Sequence, residues 1–313
     1  MTLKRLSEPP QIGTGDILVV ACFRNEMLRL PWFLTYYRKL GVDRFLLIDN
    51  ASTDGAGDYL LGQSDVTLFH TTQSYGESRC GVDWQNEVLA EYAGGHWVFI
   101  VDIDELFIFP GCEETGLRAF LDYALGTGGN AVLAPMLDMY SDRSIAATGY
   151  RAGQEMLACC PYFDSGGYEL GSPAMVAAGL PIRGGPRRRL FWPEGTWDFP
   201  SPVLHKIPLV LWQPQLRLTA STHDLEGVKM AAVTGMLLHF KLMQDFAESA
   251  RREVERKEHF AGARQYRAYD AGVSSNVQIT AFFDGSVRFR DSAQLCKLGL
   301  MKVPPDYPFL KTD

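Results

Sequence analysis

The chain has no long apolar run. Its apolar stretches, such as 45–48, 97–101 and 209–212, are only a few residues long, far short of the ~20 residues that a spanning helix needs. No transmembrane segment is expected, although peripheral membrane contact remains compatible with such a chain. Basic charge is also scarce. Lys and Arg number 30 against 37 Asp and Glu, a formal net charge of -7, which argues against the broad positive surface of a nucleic-acid binder. Cysteine is sparse and unpatterned: the six residues Cys22, Cys80, Cys112, Cys159, Cys160 and Cys296 form no CxxC. Cys159 and Cys160 are adjacent, a poor geometry for pairing with each other. Reduced thiols in a cytoplasmic protein are the expectation. The first eleven residues lack the apolar core of a signal peptide. Internal repeats and low-complexity tracts are missing too.

What remains is an ordinary soluble composition, 46% hydrophobic and 21% charged over 313 residues. A chain of this length buries about 75% of its unfolded surface and needs no staples. Length alone suggests about two domains of roughly 150 residues, or one elaborated α/β domain.

The first half alternates short apolar runs with amphipathic stretches. Residues 16–22, 45–48, 66–70, 97–101 and 131–137 read as buried strands. Pro31 opens a helix whose Phe33, Tyr36, Tyr37 and Leu40 share one face, and Gly41 stops it. Further helices are expected from Ser78 to Tyr92 and over 115–125. This order predicts an α/β fold: a mostly parallel sheet with helices on both faces. In such sheets ligands gather outside the carboxyl ends of the strands. Three polar clusters lie at such ends: 23–26, 49–54 and 102–105.

Beyond residue 140 the pattern changes. Residues 141–205 are rich in Gly, Pro and Arg and read as long loops, of a length that is often functional. Short strands return at 208–212 and 236–240, and 244–269 reads as one charged helix. The tail with Pro304, Pro305 and Pro308 reads as irregular. The expected division is a nucleotide-binding half, 1–140, and a loop-rich region with a C-terminal helix, 141–313, packed on the same domain.

The strongest local signal is Val101-Asp102-Ile103-Asp104-Glu105. In extended chain, residues i and i+2 point to one side, so Asp102 and Asp104 converge while Ile103 turns away. Converging carboxylates repel unless a cation lies between them. Mn²⁺ or Mg²⁺ fits, being a hard ion held by one or two carboxylates together with substrate phosphates. The alternative is a solvated acidic turn. Asp49-Asn50-Ala51-Ser52-Thr53-Asp54-Gly55 can simply form a turn and cap a helix, yet its position places it beside the acidic triplet, and Asn50 offers an acceptor and donors for a base edge. In Cys22-Phe23-Arg24-Asn25-Glu26, Arg24 can meet a phosphate or stack on a base, while Glu26 equally suits a helix N-terminus.

Together, ACFRNE, WFLTYYRKLGVDRFLLIDNASTDG and WVFIVDIDELF resemble the family 2 glycosyltransferases of GT-A fold, and more narrowly a bacterial family 2-like branch that also resembles glycosyltransferase family 92. The resemblance covers 16–140 and continues more loosely through LDMYSD, HKIPLVLW and LLHFK. It implies transfer of a sugar from a nucleotide-diphosphate sugar, a UDP-sugar above others, to a glycan or glycolipid acceptor. Phe23, Arg24, Asn25, Glu26, Asp49, Asn50 and Asp54 would then surround the nucleoside. The family's usual second aspartate is Asn50 here, which weakens any assignment of the base. Asp102 and Asp104 would hold the metal on the diphosphate, and Trp84, Gln85 and Asn86 would line the sugar side, core packing being an equal reading of Trp84. His239 in LLHFK would be a third metal ligand, with His205 and His223 in weaker contexts and a core histidine as the alternative.

The chemistry of such a transfer asks for cations at the departing diphosphate. Lys206, Lys241 and Arg187–Arg189 are candidates, the arginines being otherwise a solvated loop. An inverting reaction also needs a carboxylate to take the acceptor proton. By position Asp164, Glu194 and Asp198 qualify. Asp198 is favoured between Trp197 and Phe199, because an apolar setting raises basicity, with Glu194 next. A sugar-nucleotide pyrophosphorylase is the alternative enzyme, although Cys22–Glu26 has no glycine to cradle a triphosphate. A non-catalytic protein that binds glycan or nucleotide is the third possibility.

Overall fold

The computed structural model describes residues 3–169 and 181–310. The chain forms two compact units, one from 1–105, 115–133 and 206–231, the other from 106–114, 134–205 and 232–313. Residues 206–231 thus rejoin the first unit late in the chain. Among the described residues no helix is long and apolar enough to cross a membrane. All six cysteines are free thiols.

The first unit is a seven-stranded sheet. In chain order its elements are β1 (Lys4–Arg5), β2 (Leu18–Phe23), α1 (Leu30–Leu40), β3 (Arg44–Asp49), α2 (Ala56–Leu61), β4 (Val66–His70), α3 (Val82–Tyr92), β5 (Trp97–Ile100), α4 (Leu117–Gly126), β6 (Ala131–Val132) and β7 (Leu209–Leu211). The strands lie in the order β1-β4-β3-β2-β5-β7-β6. The central pairs β4–β3, β3–β2 and β2–β5 are parallel, while β1, β6 and β7 join antiparallel.

Helices cover both faces. Leu18, Val20, Leu46, Ile48, Val98 and Ile100 share one core with Val82, Trp84, Val88 and Leu89 of α3. On the opposite face Phe33 and Tyr37 of α1 meet Phe45 and Phe99, with ring centroids 6.4 and 5.3 Å apart. The period-2 alternation of strand side chains produces this split. Helix α1 starts with Pro31 in its first turn and ends at Gly41, whose φ of 111° is the left-handed stop the sequence predicts. The chain runs outward from β2 through β3 to β4, then returns to the other side of β2 as β5. That reversal is a topological switch point at the carboxyl ends of β2 and β5, the place where open α/β sheets bind ligands.

The second unit is less regular. Strands Glu105–Ile108, Met236–His239 and Met136–Asp138 make a three-stranded sheet, the last two parallel with His239 opposite Asp138. Helices Gly185–Phe191, Phe246–Arg256 and Phe260–Ser275 gather around an aromatic core of Phe191, Phe246 and Tyr269.

Several expectations change. The strand expected over 131–137 is two strands in different sheets, Ala131–Val132 and Met136–Asp138. Pro135 between them has no N–H for a ladder. The helix expected over 244–269 is two, because Lys257 turns left-handed with φ 58° and closes the first. The helix expected from Ser78 starts at Val82, and the Ser78 hydroxyl instead accepts the Gly81 N–H at 3.0 Å. Within the expected loops of 141–205, GPRRRLF is a helix with Pro186 in its first turn, while 170–180 lie outside the described residues. Residues 298–310 are irregular apart from turns, as the prolines predict.

Candidate functional site

The loops after β2 and β3 are tied together by hydrogen bonds. Arg24 Nη1 donates to the Asn50 carbonyl at 2.7 Å, and the Asn25 N–H donates to Ser52 Oγ at 2.8 Å. Asn25 Oδ1 accepts the Thr53 N–H at 2.7 Å, and Asp54 Oδ2 accepts the Met27 N–H at 2.8 Å. Asn25 and Ala51 hold left-handed backbone, φ 56° and 55°. These contacts offset part of the strain that a side chain meets there. Phe23, Arg24, Asn25, Glu26, Asp49, Asn50 and Asp54 therefore share one edge of the sheet.

They do not all face outward. Asp49 and Asn50 are buried. Asp49 Oδ1 accepts the Ser52 N–H at 2.8 Å, bracing the turn that follows β3. Asn50 Nδ2 donates to the carbonyls of Thr71 and Gln73 at 3.3 and 3.0 Å. That amide nitrogen stitches the β4 loop to the β3 loop, since buried donors need partners. Phe23 is also buried; Arg24, Asn25 and Glu26 are half-buried and Asp54 is exposed.

The acidic triplet follows β5, the strand beside β2. Ile103 is buried while Asp102 and Asp104 are half-buried. The extended chain expected here does not form: the Glu105 N–H donates to the Asp102 carbonyl at 3.1 Å, so 102–105 is a turn, and strand alternation does not place Asp102 and Asp104 on one side. Glu105 has no exposure, and neither has Lys206. Lys206 Nζ donates to Asp102 Oδ2 at 2.9 Å and to the two Glu105 oxygens at 2.9 and 2.7 Å. Glu105 Oε2 also accepts the Asp102 N–H at 3.0 Å. Burial alone would raise the Asp102 pKa, but the Lys206 ammonium outweighs it and leaves Asp102 below the usual carboxylate range, with Asp104 opposing and His223 assisting. Cys22, at the end of β2, is pushed up by burial and by the charges of Asp102 and Asp49, so it feels both neighbouring loops.

Lys206 therefore does not present a cation to a leaving group. Its ammonium is enclosed, because an unpaired buried charge would cost several kcal/mol. Glu105, which sequence reasoning left out, is its main anchor, although it stands inside the quoted VDIDELF string. A divalent ion fits the remaining donors in a limited way. Among the described residues no three His, Cys, Asp or Glu side chains are grouped to cage a metal. Asp102 and Asp104 supply two accessible carboxylates, a set that suits a hard ion keeping water and substrate phosphate as further ligands.

On α3, Trp84 is buried against Tyr75 in the sheet core, with ring centroids 6.2 Å apart. Gln85 is buried with its Oε1 lacking a hydrogen-bond partner. Asn86 pairs with the backbone N–H and carbonyl of Leu218 at 3.0 and 2.9 Å. Core packing thus accounts for Trp84.

The other expected site residues belong to the second unit. His239 is buried, and its Nδ1 lies 2.5 Å from Asp138 Oδ1, set there by the parallel strand register. Asp138 Oδ2 accepts Arg187 Nε at 2.8 Å. Burial would raise the Asp138 pKa, but Arg187 and His239 hold it below the ordinary value. Arg187 is therefore a buried ion-pair partner, not a solvated loop cation. Arg189 chelates the buried Asp164, which also accepts the Tyr140 hydroxyl at 2.6 Å. Arg188 pairs with the exposed Glu169 at 2.6 Å. Lys241 sits 5.4 Å over the Tyr266 ring. His205 Nδ1 accepts the Ile182 N–H at 3.3 Å. Glu194 and Asp198 are exposed. The apolar enclosure expected of Asp198 is missing, because Trp197 and Phe199 pack on each other, 5.3 Å between centroids, and leave it to solvent.

No protein-family profile matches the chain, and no curated protein matches it significantly. Solved structures match part of it. A Bacillus anthracis protein assigned as a glucose-1-phosphate thymidylyltransferase is 10% identical, with 44% of this chain and 64% of that chain covered and a TM-score of 0.28. A 4-diphosphocytidyl-2C-methyl-D-erythritol synthase is 16% identical, with 45% and 66% covered and a TM-score of 0.27. An inositol-1-phosphate CTP transferase from T. maritima is 15% identical, with 43% and 58% covered and a TM-score of 0.24. This chain spans less than two thirds of each. At such scores the likeness carries no argument about its chemistry.

Proposed function

We propose that the first unit binds a nucleotide-diphosphate sugar, a UDP-sugar above others, and that the protein transfers the sugar to a glycan or glycolipid acceptor. The observation that carries this reading is the assembly at one sheet edge of the interlocked β2 and β3 loops with the half-buried Asp102 beyond β5. A sheet edge of this kind, at a switch point, is where open α/β sheets bind ligands. Asp102 and Asp104 would hold Mn²⁺ or Mg²⁺. When bound, such an ion neutralises charge growing on a departing diphosphate. Asp49 and Asn50 shape the nucleoside side by bracing the loops. Asp198 and Glu194 stay the candidates for the carboxylate that takes the acceptor proton, both being open to solvent.

The test is a thermal-shift panel of UDP, UDP-sugars and UTP, each with and without Mn²⁺, on the native chain and on Asp104→Asn. Ligands that bind the native state raise its midpoint. UDP and a UDP-sugar with Mn²⁺ should raise the midpoint of the native chain and not of the variant, whose unliganded midpoint should stay the same. A shift with UTP alone would favour the pyrophosphorylase reading. An equal UDP shift in the variant would remove Asp104 from the site.

A further inference from the structure

Lys206 and Glu105 have no exposure, so neither can touch a ligand. Yet the Lys206 ammonium reaches Asp102 Oδ2 at 2.9 Å, while the Asp102 side chain is 48% exposed. The pair is buried behind Asp102, the half-exposed carboxylate that shares the Lys206 ammonium. Two Glu105 oxygens, at 2.9 and 2.7 Å, hold the ammonium in place. Glu105 is fixed in turn by the Asp102 N–H at 3.0 Å. The ammonium is thus enclosed, with three carboxylate oxygens as partners.

We propose that the buried Lys206–Glu105 pair is a built-in counter-charge that keeps Asp102 from holding a divalent cation alone and makes cation binding depend on a diphosphate. The inference rests on the nucleotide-sugar reading of that edge. An ammonium already occupies one Asp102 oxygen. The pair is neutral as a whole, but its ammonium end is the one that touches Asp102, so a divalent ion on the other oxygen would meet that positive end before the Glu105 carboxylate behind it. Asp104 supplies one compensating charge nearby, since it opposes ionisation of Asp102. A diphosphate supplies two or more and tips the balance. The cation then enters with the nucleotide, and by linkage each tightens the other by the same factor. Lys206 and Glu105 act through Asp102 and are positioning residues.

The experiment is Mn²⁺ binding to the full chain, followed by the electron paramagnetic resonance signal of free Mn²⁺, with and without UDP. In the native chain UDP should tighten Mn²⁺ by about tenfold or more. Lys206→Met combined with Glu105→Gln removes both buried charges together. This variant should bind Mn²⁺ alone about tenfold tighter than the native chain, with the UDP effect reduced by a similar factor. Its melting temperature without metal reports the fold separately. A folded double variant with unchanged or weaker Mn²⁺ affinity overturns the proposal. Where UDP binds the native chain, equal Mn²⁺ affinity with and without it overturns the proposal too, whatever the variant does. Should UDP fail to bind the native chain at any Mn²⁺ concentration, the nucleotide reading falls, and the comparison with Mn²⁺ alone still decides the counter-charge.

Discussion

Individual side chains here take their chemistry from burial and from neighbours both adjacent and far along the chain. The thiols illustrate it. Burial and nearby acids push Cys112 up to about 12 and Cys296 up to about 11, and Cys22 rises through burial, Asp102 and Asp49. Cys159 moves the other way, to about 7, because the Cys160 thiol hydrogen-bonds its thiolate and Arg143 attracts it, against some burial. The thiolate is the nucleophile. Iodoacetamide at pH 7.5 should therefore label Cys159 well before Cys22, Cys112 or Cys296, with a rate that rises through a midpoint near 7. Peptide mass spectrometry over a pH series checks this, and equal labelling of Cys296 would refute it. The neighbouring pair was visible in the sequence, but its acidity was not, since Arg143 is brought in by the fold.

At the scale of elements, Glu253 shows how a buried carboxylate ties a helix end. It lies on the inner side of Phe246–Arg256, 2.8 Å from Arg256 Nη1 and 3.2 Å from His259 Nε2. Burial raises its pKa, but His259 and Arg256 outweigh burial and bring it to about 2. A folded value below the unfolded one means that the ionised form is favoured by folding. The stabilisation is complete above the unfolded pKa and is lost as pH falls through about 2. Its size is on the order of 2–3 kcal/mol. Glu253→Gln should flatten the acid limb of stability between about pH 5 and pH 2, measured by urea unfolding. A native chain and variant with parallel acid limbs would contradict the assignment. The sequence marks 244–269 as charged and helical, which Phe246–Arg256 and Phe260–Ser275 bear out in type. The break between them depends on the left-handed Lys257, a conformation that a non-glycine residue seldom announces.

At the scale of the molecule, the reading confines the nucleotide to one unit. Hydrogen exchange with UDP and Mn²⁺ present should slow amides in 23–27, 49–55 and 101–106, because ligand binding suppresses local opening where contacts form. Helices Phe246–Arg256 and Phe260–Ser275 should exchange as before. Protection centred on those helices would place the nucleotide in the second unit and refute the reading.

The sequence by itself determined the parallel core and its loops. Strands β2 to β5, helices α1 and α3 and the edge with Asn25, Asp49 and Asp102 follow from local periodicity and from the rule that ligands collect at carboxyl ends, whereas the short α2 is not among the expected helices. Such patterns are written within ten residues or so of chain. The tertiary structure alone decided which charges meet. Lys206 finds Asp102 across 104 residues and His239 finds Asp138 across 101. A buried charge must have a partner, but nothing in local sequence says which. Strand order and register brought these groups together, turning a lysine expected at a ligand into an internal counter-ion and a histidine expected at a metal into the partner of a buried aspartate.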